Sequence, residues 1–305
     1  RFDLRVFLRM LLVAGRVLHV FLRICLVPGL DIYIYDLFKK NPFITDVILD
    51  KRLSRFNLIY LYSLMRSVKK LDIQKVYDLQ NSSRTKFYQR ILFPNSNLNK
   101  WSSSETTLPN DKTKEVFDEN PVLDRFDHQL KTSGLTTKHT MFPDFSWACS
   151  DINNIKDEYK LDKYIVLFPF CSPHLAHKKW PYYNELIDLI KNKYQDQFKI
   201  IVAPCLNEMN DAKEINAICI LYDGKAIDIS QLSSLIKDSS FVIANDTGPA
   251  HMAAHLNAKG LTLFGSHTTA HKVSIERENF KVMQVSDLNK LSAIEVFEKL
   301  TNFLN

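Results

Sequence analysis

Residues 241–254 run from the apolar Phe241-Val242-Ile243-Ala244 through the polar Asn245-Asp246-Thr247 into the small-residue stretch Gly248-Pro249-Ala250-His251-Met252-Ala253-Ala254. That pattern reads as a buried strand turning into a helix. Thr247 or Gly248 can cap the helix, and Pro249 suits its first turn, where its missing N–H has no partner to lose. The remaining first-turn N–H groups and the positive end of the helix dipole then suit an anion such as a phosphate. His251, four residues after Thr247, falls on the same helical face and can donate a hydrogen bond or a charge to a diphosphate. The same pattern also fits plain capping by Asp246 and Thr247, with His251 satisfying a buried partner.

Three further segments carry usable chemistry. Pro169-Phe170-Cys171-Ser172-Pro173 follows an apolar strand and leads into His177-Lys178-Lys179-Trp180-Pro181. Ser172 is a polar candidate in that loop, and a lysine there either neutralises a phosphate as a point charge or is simply solvated. Glu208 follows the strand at 198–203 and either grips ribose or sugar hydroxyls or caps its own helix. Gly265, after the strand at 261–264, offers close backbone approach.

The elements that must position these residues follow from the periodicity. Beyond residue 160 the chain alternates strands at 164–168, 198–203, 227, 240–244 and 261–264 with helices at 182–194, 207–219, 230–237 and 249–257. This βα series predicts a parallel sheet covered by helices on both faces, with ligands at the carboxyl ends of the strands. Earlier, residues 31–35 alternate like a short strand, 45–49 and 73–79 read as strands, 56–68 runs into a helix, and 120–133 is a helix stopped by Gly134. Residues 94–119 read as a long loop. The periodicity lapses at 141–160, which predicts domains at 1–150 and 151–305.

Composition bounds the class. The chain has 305 residues, 46% hydrophobic, with seven Gly and five scattered Cys, which excludes fibrous and disulfide-scaffold proteins and suits a reducing compartment. The net charge of +6 fits an anionic small molecule or a membrane surface better than a nucleic-acid groove. Residues 4–27 are apolar with Arg5, Arg9, Arg16 and Arg23 interspersed; they read either as a helix lying on an anionic membrane or as a partly buried first helix. No uncharged apolar run is long enough to span a bilayer.

Together the four segments resemble glycosyltransferase family 9, the ADP-heptose:lipopolysaccharide heptosyltransferases. The resemblance rests on Asp246-Thr247-Gly248-Pro249-Ala250-His251-Met252-Ala253-Ala254, Leu263-Phe264-Gly265, Lys178-Lys179-Trp180-Pro181 and Glu208, and on Asp78-Leu79-Gln80 with Ser83-Arg84 earlier in the chain. It implies an α/β chain of GT-B fold, two Rossmann-like domains with parallel sheets facing a central cleft. The C-terminal domain would hold a nucleotide sugar through Ser172, Lys178, Glu208, Asp246, Thr247, Gly248 and His251. Asp78, Gln80 and Arg84 would lie on the acceptor side. The implied reaction is inverting and needs neither metal nor cofactor, moving heptose or a related sugar from an ADP-sugar to a phosphorylated lipopolysaccharide-core acceptor. It places the chain in the cytoplasm, in peripheral contact with the inner membrane and without nucleic-acid partners.

The departure lies at the other end. The family opens with a Gly-Asp turn whose Asp is the base, whereas this chain opens Arg1-Phe2-Asp3-Leu4. Asp3, the only acidic residue before Asp31, is the candidate base. The five basic residues up to position 38 are all Arg, and later usage favours Lys, which suggests instead that this end is altered and the chain binds sugar nucleotide without transfer. An unrelated dinucleotide enzyme is disfavoured, because no G-x-G-x-x-G follows any strand.

Overall fold

The computed structural model describes residues 24–28, 32–71, 73–94 and 100–304; Asp3 and the arginine-rich residues 4–23 lie outside them. Backbone contacts divide the described chain between Asp144 and Phe145 into two compact units.

In the second unit, six strands form one parallel sheet: β5 (Tyr164–Phe168), β6 (Lys199–Val202), β7 (Ile218–Cys219), β8 (Phe241–Asn245), β9 (Gly260–Phe264) and β10 (Phe280–Gln284). The order across the sheet is β10-β9-β8-β5-β6-β7. Sequence order therefore reverses between β5 and β8, and a crevice opens at their carboxyl ends where such sheets take ligands. Residues of β5, β8 and β9 are buried on both faces, as their near-continuous apolar runs require. Ile165 and Leu167 share a core with the helices Tyr183–Tyr194 and Ala293–Leu304. On the other face the Tyr164 phenol donates to Leu235 O, 2.9 Å away, in the helix Ile229–Lys237. Gly260 is required by packing, since a Cβ there would sit 2.6 Å from Val242 O and from the Phe280 ring.

In the first unit, β1 (Ile24–Pro28) pairs in parallel with β2 (Asp46–Asp50), and β3 (Val76–Tyr77) with β4 (Trp101–Ser102). The helix Leu58–Lys69 begins at Asn57, whose side chain accepts from Tyr60 N, and buries Tyr60, Leu64 and Val68 on one stripe. The helix Ser83–Leu92 is fixed by reciprocal bonds between Ser82 and Thr85. Gly134, at φ +87°, ends the helix Val122–Thr132 as expected.

Several expected elements differ. Residues 32–35 are not a strand, because the helix Ile32–Lys39 occupies them, and Asp31 lies outside the described residues. So short a stretch fits either period, and after Asp36 the apolar pattern resumes at the buried Leu37 and Phe38. The helical reading of residues 4–27 fails at its end, where β1 begins at Ile24. The stretch 94–119 is not only loop. Trp101, 5% exposed, anchors β4, and Lys114–Phe117 is a helical turn. No helix fills 207–219; a short turn at Met209–Ala212 is followed by β7, and the strand expected at 227 is absent. Finally, a Cβ on Gly265 would meet no protein atom closer than 3.5 Å, so packing within the chain does not require that glycine.

Candidate functional site

Where β8 ends, Asn245 turns inward. Its side chain donates to Pro169 O (2.9 Å) and accepts from Trp180 N (3.2 Å) and the Tyr183 phenol (3.2 Å). The buried Trp180 indole donates to Leu291 O at 2.8 Å. These bonds tie the end of β5 and the start of the helix Tyr183–Tyr194 to the end of β8. Lys178, at the last position of the turn Pro173–Lys178, is thereby brought over the crevice.

Asp246 collects the charge there. Its carboxylate, 1% exposed, accepts from the Lys178 ammonium, from His267 Nε2 at 2.8 Å and from His251 Nε2 at 3.4 Å. A carboxylate can only accept, so both imidazoles carry the proton on Nε2. Burial pushes the Asp246 acid up, but the His251 and His267 hydrogen bonds and the neighbouring positive charge outweigh it and hold the group ionised, well below the usual carboxylate range. Burial also lowers His251, against the pull of Asp246, and Lys178 and Arg277 lower it further. His251 is therefore neutral at pH 7, and Lys178 supplies the counter-charge.

Thr247 stands at the N-cap of the helix Gly248–His255, but its side chain makes no capping bond; its hydroxyl donates to Asn245 O at 3.3 Å instead. The first turn is thus left without a side-chain cap, next to a lysine and with a proline at its second residue. His251 lies fully buried beneath this turn, with Nδ1 lacking any partner. It supports Asp246 from inside and does not open to solvent.

Ser172 precedes the turn Pro173–Lys178 without bonding it through its side chain. Glu208 Oε2 accepts from Cys205 N at 2.9 Å, the capping arrangement, on the loop after β6. In the first unit, Asp78 is buried after β3 and accepts from Gln80 N (3.0 Å) and Asn81 N (2.9 Å), so it builds the turn that carries Gln80. Arg84 directs Nε to the Tyr88 phenol and to Asp50, 3.3 Å away, and Nη2 to Leu53 O at 2.9 Å.

Sequence reasoning missed two partners. His267 meets Asp246 because β9 neighbours β8, so their carboxyl-end loops adjoin; its position two residues past Gly265 was the available signal. Asp50, 2% exposed at the end of β2, gathers Arg84, Tyr60 and Tyr88. Burial, followed by the Asp50 charge, pushes the Tyr88 phenol up. Among the described residues, no group of three or more His, Cys, Asp or Glu is arranged to hold a metal ion.

The chain resembles the heptosyltransferase WaaC of E. coli, solved with ADP, at TM-score 0.70 and 15% identity, covering 99% of this chain and 97% of that one. It resembles the E. coli ADP-heptose lps heptosyltransferase II at TM-score 0.66 and 16% identity, covering 99% and 94%. A glycosyltransferase family 9 protein of Veillonella parvula matches at TM-score 0.70 and 14% identity, covering 92% and 88%. A search of curated protein sequences gives no match. The α/β fold is that of the GT-B heptosyltransferases, and the sequence model of glycosyltransferase family 9 (heptosyltransferase) matches residues 61–299, so the chain belongs to that family of glycosyltransferases.

Proposed function

We propose that the chain transfers heptose or a related sugar from an ADP-sugar to a phosphorylated lipopolysaccharide-core acceptor, with inversion at the anomeric carbon. The observation that carries this reading is the uncapped first turn of the helix Gly248–His255 beside Lys178, at the point where strand order reverses. Two known structures support the choice of donor, since they hold the E. coli heptosyltransferase WaaC with ADP and with ADP-2-deoxy-2-fluoro heptose.

In this reading the diphosphate lies over Thr247 and Gly248, and the Lys178 ammonium shares its donors between Asp246 and a phosphate oxygen. Asp246, held by His251 and His267, keeps that lysine aimed. Ser172 adds a hydroxyl, and Glu208 turns its remaining acceptor capacity to ribose or sugar hydroxyls. A carboxylate takes the acceptor hydroxyl's proton, the oxygen attacks the anomeric carbon, and the leaving diphosphate gathers charge that Lys178 and the helix amides stabilise. Those groups do the work that a metal ion does elsewhere, so the reaction needs no added cofactor. Asp3 is the candidate base, and Asp78, Gln80 and Arg84 belong to the acceptor side. The chain works in the cytoplasm, at the inner face of the membrane; no described helix is long and apolar enough to cross one.

The test is ADP release from ADP-heptose with a heptose-free lipopolysaccharide-core acceptor, in the presence of a chelator. Acceptor-dependent release that is lost in Lys178→Ala supports the reading. ADP binding without release, from this chain and from an Asp3→Asn variant alike, would mean that it holds the donor and transfers nothing.

A further inference from the structure

The first unit carries a surface that the transfer site does not use. Opposite its buried stripe, the helix Leu58–Lys69 presents Leu58, Ile59 and Tyr62 at 75%, 86% and 61% exposure, and Phe56 just before it is 92% exposed. Single exposed apolar residues are ordinary, but four large ones within seven positions make a contiguous patch, which marks an interaction site. Cations flank the patch on both sides. Lys51, Arg52 and Arg55 are exposed ahead of it, and Arg66, Lys69 and Lys70 continue the outer stripe of the helix beyond it. No acidic residue occurs from 51 to 71. An open groove of about 320 Å³, with Lys51, Leu53 and Ile59 among its lining residues, borders the patch.

We infer that this patch docks the chain on an anionic lipid surface, with Phe56, Leu58, Ile59 and Tyr62 entering the headgroup boundary and the six cations meeting lipid phosphates. An apolar tip ringed by one sign of charge complements a negatively charged bilayer, where the aromatic and aliphatic side chains leave water and each cation gains from the surface potential. A protein partner or a second copy of this chain would have to match six like charges around a small apolar centre, and the described patch offers no acid to pair with its own cations in a symmetric contact. The inference deepens the peripheral membrane contact of the proposed function and rests on it for why a lipid surface serves this chain. It differs from the reading of residues 4–27 as the membrane-facing segment.

The test is co-sedimentation of the full chain with phosphatidylcholine vesicles, with and without phosphatidylglycerol. The variants are Phe56→Ser/Ile59→Ser and Lys69→Gln/Lys70→Gln, all at exposed positions, and thermal unfolding checks that each folds as the parent does. The parent is expected to bind only the phosphatidylglycerol vesicles, more weakly in high salt, and each double variant to lose roughly 10-fold or more in partitioning. An absence of binding by the parent would overturn the inference, and so would undiminished binding by both variants, which would shift the contact to other residues. Self-association of the parent in lipid-free sedimentation velocity, abolished by Phe56→Ser/Ile59→Ser, would also overturn it by showing that a second copy covers the patch. None of these readouts needs nucleotide or transfer, so their failure is distinct from failure of the transferase reading.

Discussion

Each unit of this chain places a buried carboxylate at the carboxyl end of a strand and pairs it with a cation. Asp50 ends β2 and holds Arg84; Asp246 follows β8 and holds Lys178. Exposure does not separate them, since both cations are 16% exposed and the carboxylates 2% and 1%. The remaining partners do. Asp50 is completed by two phenols, and Arg84 is further committed to Leu53 O and Tyr88. Asp246 is completed by two imidazoles, and Lys178 makes its bond to Asp246 with two more ammonium protons in hand. Tyr60 and Tyr88, pushed upward in pKa, stay neutral donors to Asp50 and leave Arg84 no slack. The Asp50 cluster is thus closed on itself, while the Asp246 cluster can share its cation with an incoming anion and keep its carboxylate satisfied.

The largest expected effect comes from removing either carboxylate. Asp246→Ala or Asp50→Ala leaves a largely buried cation without its partner and should lower unfolding free energy by about 3 kcal/mol, measured by urea denaturation. A loss below about 1 kcal/mol at either site would mean that the pair contributes little to folding. Removing the cations should separate the clusters: Arg84→Ala is expected to cost about 3 kcal/mol, and Lys178→Ala only about half that, because Arg84 also bonds Tyr88 and Leu53 O while Lys178, among the described residues, bonds Asp246 alone. Equal losses in the two variants would break the comparison.

Gly260→Ala bears on the second unit alone. The added methyl meets Val242 O, so β9 must shift and carry the His267 loop with it, at about 2 kcal/mol of stability. An unchanged unfolding midpoint would show that β9 yields without strain.

A smaller effect is a pH dependence. Burial, with the Arg277 charge, holds His255 well below the ordinary histidine range, and His251 is lowered as well. The folded chain keeps these groups neutral where the unfolded chain binds protons, so stability should fall as the pH drops below about 6.5. Asp246 adds a second loss below about pH 4, where the unfolded carboxylate takes up a proton before the folded one. His255→Leu should flatten the first slope in thermal unfolding at pH 7 and 5.5. An identical slope would assign it to other groups.

How much of this was legible in the sequence follows sequence distance. β5, β8 and the Asp246 turn were readable because an apolar run, a polar break and a small-residue helix lie within one short window. The Asp246 partners came in part: Lys178 stood in a recognisable Lys-x-Trp-Pro segment, but His267 reaches Asp246 only through the neighbouring position of β9, which no local pattern reveals. Asp50 was invisible for the same reason, since its phenols come from the helices Leu58–Lys69 and Ser83–Leu92, 10 and 38 residues away. β4 and β7 have two residues each, too few to show a period, whereas β3 falls inside the strand read at 73–79 but is shorter, at Val76–Tyr77. Asp3, the candidate base, lies outside the described residues.

The most direct test is a thermal-shift titration with ADP on the parent chain, Lys178→Ala and Arg84→Ala, with UDP, GDP and NADH as comparisons. At about 100 times its dissociation constant, ADP should stabilise the parent by roughly 2.7 kcal/mol, and Arg84→Ala by the same increment. Lys178→Ala should lose the response, and the other nucleotides should give less. A full ADP response in Lys178→Ala, or none in the parent, would contradict the claim that the Asp246 cluster lends its cation to a diphosphate.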